Sequence, residues 1–263
     1  MQQGAPPCCT SAGLLAMKTR YLAAGVVLAC ALIAPATHAA ISLGATRVVF
    51  DGKNKEASVV VNNDGAEALI QSWLDPLDDA SSQTLPFAVT PPLVKVPAKR
   101  QQLLRVLYEG VGLPADRESA FWLNVQEIPQ AATGDNVLQL AVRQRIKVFF
   151  RPAGLKGDPQ QAPGHLQWRL DRESGKAVLH VQNSGLYHVT VVDAKWHTGS
   201  TDAPVIDAKM VAPGASASMP VKLPASEAAP ELRYEIVNDF GGRESYRVTL
   251  PAGQSAAPVV VTH

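Results

Sequence analysis

Residues 136–151 read NVLQLAVRQRIKVFFR. Leu138, Leu140, Val142, Gln144, Ile146, Val148 and Phe150 recur at every second position, and Arg143, Arg145, Lys147 and Arg151 fall between them. A period of two is the mark of a strand, because successive side chains point to opposite faces of a sheet; a helix would need recurrence every three or four residues. The pattern predicts a strand from Val137 to Phe150 with its even face in a core and its odd face in solvent. Most strands are finished by about ten residues, so one end of this strand should project past its own sheet. A long apolar edge left bare invites aggregation, which implies a partner that covers it.

The same alternation spreads outward on both sides. Toward the N-terminus, strands are expected at Ser42 to Phe50, Ala57 to Val61, Ala68 to Leu74, Leu93 to Val96, Gln102 to Tyr108 and Ala120 to Ile128, separated by turn sequences such as Asn62-Asn63-Asp64-Gly65 and Asp75-Pro76. With the strand quoted above, that makes about seven before Arg151-Pro152, the number in one immunoglobulin-like sandwich. The stretch from Ala153 to Gly164 has Pro159 and Pro163 among glycines and no periodic pattern, which reads as a linker. A second series follows at Leu166 to Leu170, Ala177 to Gln182, His188 to Ala194, Val205 to Val211, Ser216 to Leu223, Leu232 to Val237 and Ser245 to Leu250. The expected fold class is therefore all-β, with one sandwich over 40–152, a linker over 153–164 and a second sandwich over 165–263.

The first 39 residues are set apart by chemistry rather than by period. Met17 is the expected true start. Lys18 and Arg20 form a short basic region, Tyr21 to Ala34 is almost unbroken apolar chain, and Thr37-His38-Ala39 offers the small residues that a signal peptidase reads. A cut after Ala39 is predicted, leaving a secreted protein with no membrane insertion, since no other apolar run approaches the roughly 18 residues of a spanning helix. All three cysteines, Cys8, Cys9 and Cys30, precede that cut. The mature chain would then have neither a disulfide nor a thiolate. Of 24 Lys and Arg, Lys18 and Arg20 go with the leader, so 22 face 23 Asp and Glu, a balance that gives no reason to expect a nucleic-acid partner.

Catalytic and metal chemistry find little support. His180 and His188 flank the turn at Asn183-Ser184-Gly185 and could face one another across a hairpin, but no His-x-His or His-Glu-x-x-His spacing supplies further ligands. Gly110-Val111-Gly112 lacks the third glycine and the strand-to-helix setting of a dinucleotide site. Neither Ser184 nor Ser200 stands in a Gly-x-Ser-x-Gly elbow, and Asp78-Asp79 belongs to a polar loop. No enzyme, metal or cofactor is expected.

A family resemblance rests on specific runs: Ser42-Leu43 with Thr46-Arg47; Thr90-Pro91-Pro92; Arg117-Glu118-Ser119 leading to Phe121-Trp122-Leu123-Asn124-Val125; Glu127-Ile128-Pro129; Asn136-Val137-Leu138-Gln139; Ile146 to Pro152; and Asn238-Asp239-Phe240-Gly241-Gly242. Together they resemble the PapD-like periplasmic pilus chaperones over nearly all of the mature chain, the first sandwich more specifically than the second. The resemblance implies two immunoglobulin-like domains in an L-shaped arrangement that hold pilin subunits lacking their last strand and pass them to an outer-membrane usher. It also implies roles: Leu138, Leu140 and Val142 as the donated side chains, Arg47 and Lys147 as anchors for the subunit's terminal carboxylate, and Glu118, Arg151 and Asp239 as a charged trio between the domains. The short loop from Pro129 to Asp135 is similar to the branch that serves rod-like pili. The cysteine pair found in the second domain of many members is absent.

Two other classes compete. A pilus subunit or adhesin is also a secreted sandwich, but by its family it would open on an alternating apolar extension, whereas this mature chain runs directly into its first strand. A periplasmic enzyme would rest only on scattered histidines and acids. Without a subunit, the chaperone reading allows a self-capping dimer that hides the donor strand.

Overall fold

The computed structural model describes residues 41–78, 84–129, 140–198, 201–223 and 229–261. The leader with its predicted cut after Ala39, the three cysteines and Leu138 lie outside the described residues.

The first sandwich holds β1 (Ile41–Leu43), β2 (Arg47–Asp51), β3 (Glu56–Asn63), β4 (Ala68–Pro76), β5 (Phe87–Thr90), β6 (Leu93–Val96), β7 (Gln101–Tyr108), β8 (Ser119–Ile128) and β9 (Arg143–Arg151). They form two sheets in the orders β1-β3-β7-β5 and β2-β9-β8-β4-β6. Every pairing is antiparallel except that of β2 with β9, which is parallel. Side chains from the two inner faces close a core that includes Phe50, Val61, Ile70, Leu104, Leu123 and Val148, the interdigitated arrangement expected of packed sheets. Phe87, partly buried on edge strand β5, packs its ring against Phe50, Tyr108, Phe121 and Phe150.

Two expectations change here. The run expected as one strand from Ser42 to Phe50 is two, and they belong to different sheets: β1 pairs with β3, and β2 with β9. Gly44 makes the corner, donating its N–H to Val60 O at 2.8 Å. β5 was not expected, because four residues between Pro86 and Pro91-Pro92 are too few for alternation to register.

The second sandwich holds β10 (Leu166–Glu173), β11 (Lys176–Asn183), β12 (Val189–Thr198), β13 (Thr201–Val211), β14 (Ser216–Val221), β15 (Glu231–Val237), β16 (Arg243–Thr249), β17 (Ser255–Ala256) and β18 (Val259–Val260). Its sheets run β14-β11-β10-β17 and β13-β12-β15-β16-β18 around Trp168, Trp196, Leu179, Leu232 and Tyr234. Both indoles satisfy their N–H, Trp168 on the Tyr234 hydroxyl at 3.0 Å and Trp196 on Lys222 O at 2.9 Å, as buried polar groups must. Burial pushes the Tyr234 phenol well above its ordinary range.

The expected linker is more ordered than its composition suggests. Pro159–His165 forms a 3-10 helix, capped where Asp158 accepts from the Gln160 N–H at 2.9 Å, and Ala162 enters the second core. A 3-10 helix turns every three residues, and seven residues with an internal proline are too few for any period to register, so the sequence reads as punctuation.

An asparagine plays the same part in each sandwich. Asn63 ends β3 and Asn183 ends β11, and both are buried. Each accepts the N–H of the glycine two residues on, Gly65 or Gly185, while its amide donates across the sandwich, Asn63 to Val96 O and Asn183 to Val211 O. The Asn-x-Gly turns are thereby tied to distant strand ends by side chains whose polar groups are satisfied.

Candidate functional site

The site grows from the two edges of β9. One edge is covered by β8, from Ser119 opposite Phe150 to Gln126 opposite Arg143. The other pairs with β2 only over Lys147–Arg151. Among the described residues no strand pairs with Arg143–Ile146 on that second side, where the Gln144 amide reaches Ile41 O at 2.6 Å. Just upstream Leu140 and Val142 are 70% and 50% exposed.

The strand expected from Val137 to Phe150 therefore begins at Arg143. One more contact survives beyond it, from the Glu127 N–H to Val142 O at 3.0 Å. The β8 chain then reaches Ile128 and Pro129, which has no N–H to carry the ladder further. Leu140 and Val142 continue the even positions of β9, Leu140 largely open and Val142 half-covered, and Leu138 lies outside the described residues.

The bare edge ends at a pair of cations. Arg47 and Lys147 are directly opposite each other in the parallel β2–β9 pair. The Arg47 guanidinium donates to Val237 O of the second sandwich at 3.0 Å and lies 5.8 Å from the centre of the Phe149 ring. Lys147 lies 5.2 Å from the centre of the Trp122 ring, which Arg145 also approaches at 4.8 Å. Both pKa values are lowered. Burial does this to Arg47 against the pull of Asp239 and Glu118, and burial together with the charge of Arg47 does it to Lys147. Among the described residues neither cation forms an ion pair, and the buried Arg47 Nε has no hydrogen-bond partner. Ring faces partly offset the repulsion between like charges. The arrangement has unspent capacity for an anion with two oxygens.

Behind this pair the two sandwiches meet through Arg151. Its Nε donates to Glu118 at 2.8 Å, and its two terminal nitrogens grip both oxygens of Asp239 at 2.7 Å each. Burial opposes its charge, but hydrogen bonds and the charges of Asp239 and Glu118 prevail and hold its pKa above the ordinary value. Glu118, 3% exposed, is the hub: its other oxygen accepts from the His188 backbone N–H at 2.8 Å and lies 2.7 Å from His188 Nδ1. A backbone bond from the Glu118 N–H to Leu186 O and the Tyr187 ring beneath Arg151 complete the joint.

The structure thus brings together Glu118, Arg151 and Asp239 in one cluster, and Arg47 with Lys147 in another. The expectation that His180 and His188 could face across a hairpin is corrected. His180 in β11 bonds Ser218 on the neighbouring strand, while His188 turns toward Glu118 and its ring packs against Phe149. Sequence reasoning gave no role at this site to His188, Trp122, Phe149 or Tyr187. For Phe149 there was a signal, since it is an apolar residue in the odd, charged register of β9 and so needs its own cover. Among the described residues no group of three metal-ligating side chains forms.

Comparison with known proteins defines the class. Residues 40–156 match the pili and flagellar-assembly chaperone family, PapD N-terminal domain, and residues 161–248 match the pili assembly chaperone PapD, C-terminal domain. The chain belongs to the PapD family of pilus-assembly chaperones. Among its relatives is the probable fimbrial chaperone YadV of Escherichia coli K12, 37% identical over 235 residues that cover 85% of this chain and 95% of YadV. The crystal structure of the YadV chaperone superposes with a TM-score of 0.69 at 38% identity, covering 81% of this chain and all of that one. The SafB chaperone of Salmonella enterica, solved in complex with the SafA pilin, gives a TM-score of 0.67 at 28% identity, covering 82% of this chain and 99% of that one.

Proposed function

We propose that this chaperone captures a pilin subunit by adding its own strand to the subunit's open fold, with Arg47 and Lys147 holding the subunit's terminal carboxylate. The observation that carries this is the bare edge of β9, which leads from the exposed Leu140 and Val142 to two unpaired cations in register. Strand addition, of which donor-strand complementation by pilus chaperones is an established example, takes its affinity from main-chain bonds and its specificity from alternate side chains. Geometry gives the direction. A strand filling the edge over Arg143–Ile146 with its carboxylate at Lys147 runs parallel to β9, in the line that β2 then continues. Leu138, Leu140 and Val142 would enter the subunit's groove.

In this reading Glu118, Arg151 and Asp239 set the relation of the two sandwiches, the signal from Met17 to Ala39 carries the chain into the periplasm and is removed, and an outer-membrane usher receives the loaded complex. Binding and release require no catalysis. Before a subunit arrives, a second copy covering Leu140 and Val142 would form a weak self-capping dimer. The decisive test is co-expression with fimbrial subunits in the periplasm, followed by isolation of the soluble complex and comparison of each subunit with a form lacking its last residue. Capture independent of that terminus overturns the anchoring role of Arg47 and Lys147.

A further inference from the structure

Among the described residues the largest exposed apolar side chain is Phe240, 91% exposed at the tip of the β15–β16 hairpin. Its turn is not loose. The Asn238 side-chain oxygen accepts from the Phe240 N–H at 3.1 Å and from the Gly242 N–H at 2.8 Å, and the Asn238 amide donates to Glu244 at 3.0 Å. Backbone bonds from Gly241 to Asn238 and from Asn238 to Gly242 close the loop. Gly241 has φ of +83°, and a methyl group there would lie 2.5 Å from the Thr46 hydroxyl, so the tip sits tightly against the residue before Arg47. Asp239, next in the chain, is clamped by Arg151. Phe240 is thus held out at the rim of a cleft whose lining also includes Arg47, Phe149 and Val237.

A phenyl group fixed in water, when every neighbour in its turn is bonded, has no role in folding that its position explains. We infer that Phe240 is a binding residue contributed by the second sandwich, packing against the apolar side chain at or next to the subunit's carboxyl terminus while Arg47 and Lys147 hold the carboxylate. The occupant follows from charge and continuity. Arg47 lines the cleft and stands in register with Lys147, neither of them in an ion pair among the described residues, while the cleft's Glu118 and Asp239 are already held by Arg151. The bare β9 edge leads a strand to the two cations, and the Phe240 tip abuts the chain one residue before the first of them. The cleft then reads the end of the subunit with both domains, the first supplying edge and charge and the second an apolar contact. This rests on the proposed strand capture.

The test uses the full chain co-expressed in the periplasm with a fimbrial subunit. Phe240→Ser should fold normally by circular dichroism, because the side chain is exposed, and its purified complex should release the subunit about tenfold faster than wild type, the scale of one lost aromatic contact. Phe240→Tyr should restore the slow rate. Benzoylphenylalanine at position 240 should photo-crosslink to the carboxyl-terminal segment of the subunit. An unchanged release rate in Phe240→Ser, or a crosslink to a second copy, to the usher or to nothing, overturns the inference. Lys147→Ala separates the two ideas: if it abolishes capture while Phe240→Ser is silent, strand capture stands and only the role of Phe240 falls. If Lys147→Ala captures normally, the carboxylate anchor fails and the role of Phe240 falls with it.

Discussion

Arg47 and Lys147 stand opposite each other in a parallel strand pair, two cations in register without a carboxylate between them. Such a pair opposes folding slightly and rewards an arriving anion. Lys147→Ala is therefore expected to leave stability unchanged or raise it, while subunit capture in periplasmic extract falls by about tenfold or more, the scale of a charge-assisted hydrogen bond. Arg47→Ala should lose capture equally but also some stability, because its guanidinium joins Val237 of the second sandwich. Denaturant melts beside complex yields separate the two effects, and full capture by both folded variants would refute the anchor.

The same pair predicts a pH dependence. Lys147 is held below the ordinary 10.5 by burial and by Arg47. Docking a carboxylate favours the protonated amine, so affinity should fall as pH rises through the depressed pKa, earlier than for an exposed lysine. The free protein moves the other way. Between the depressed value and 10.5 the unfolded chain binds more protons than the folded one, so stability rises with pH across that window. Lys147→Arg should carry capture to higher pH, measured as complex dissociation against pH.

At the joint, burial ranks the variants. The Glu118 side chain is 1% exposed, Arg151 16% and Asp239 32%. Arg151→Ala takes the cation from the deepest carboxylate, leaving it only its contacts with His188, and should destabilise by about 3 to 5 kcal/mol, whereas Asp239→Ala leaves Arg151 paired with Glu118 and should cost clearly less. His188→Phe should also destabilise, because it removes the ring nitrogen beside Glu118. Urea melts of the three variants give the order, and equal stability in all of them would reduce the cluster to surface charge.

Alternation alone made the two sandwiches legible, because half-buried strands display their period directly, as in β3 and β11. It failed where chain geometry departs from the period: at Gly44, where one apolar run crosses between sheets, at β5, and at Pro159–His165. The cation pair was visible as residues, but only strand register shows that Arg47 meets Lys147. His188 was beyond a local reading, since its partner Glu118 is 70 residues away and no spacing records that contact.

The donor segment gives the last test. Leu140 is exposed in the free protein, so Leu140→Glu should leave the fold and melting midpoint within about 0.5 kcal/mol of wild type, as surface substitutions usually do. In the complex the same carboxylate would have to enter an apolar groove, and desolvation without a partner opposes this by several kcal/mol, about a hundredfold or more in affinity. Arg47 and Lys147 are untouched, so any loss belongs to the groove contact and not to the anchor. Val142→Glu should behave in the same way but more mildly, because Val142 is half-covered already and its carbonyl remains bonded to Glu127. Complex yield and release rate for the two variants, set beside Lys147→Ala, read edge and anchor independently. Normal capture by a well-folded Leu140→Glu protein would mean that the exposed even face of this segment is not what the subunit takes up.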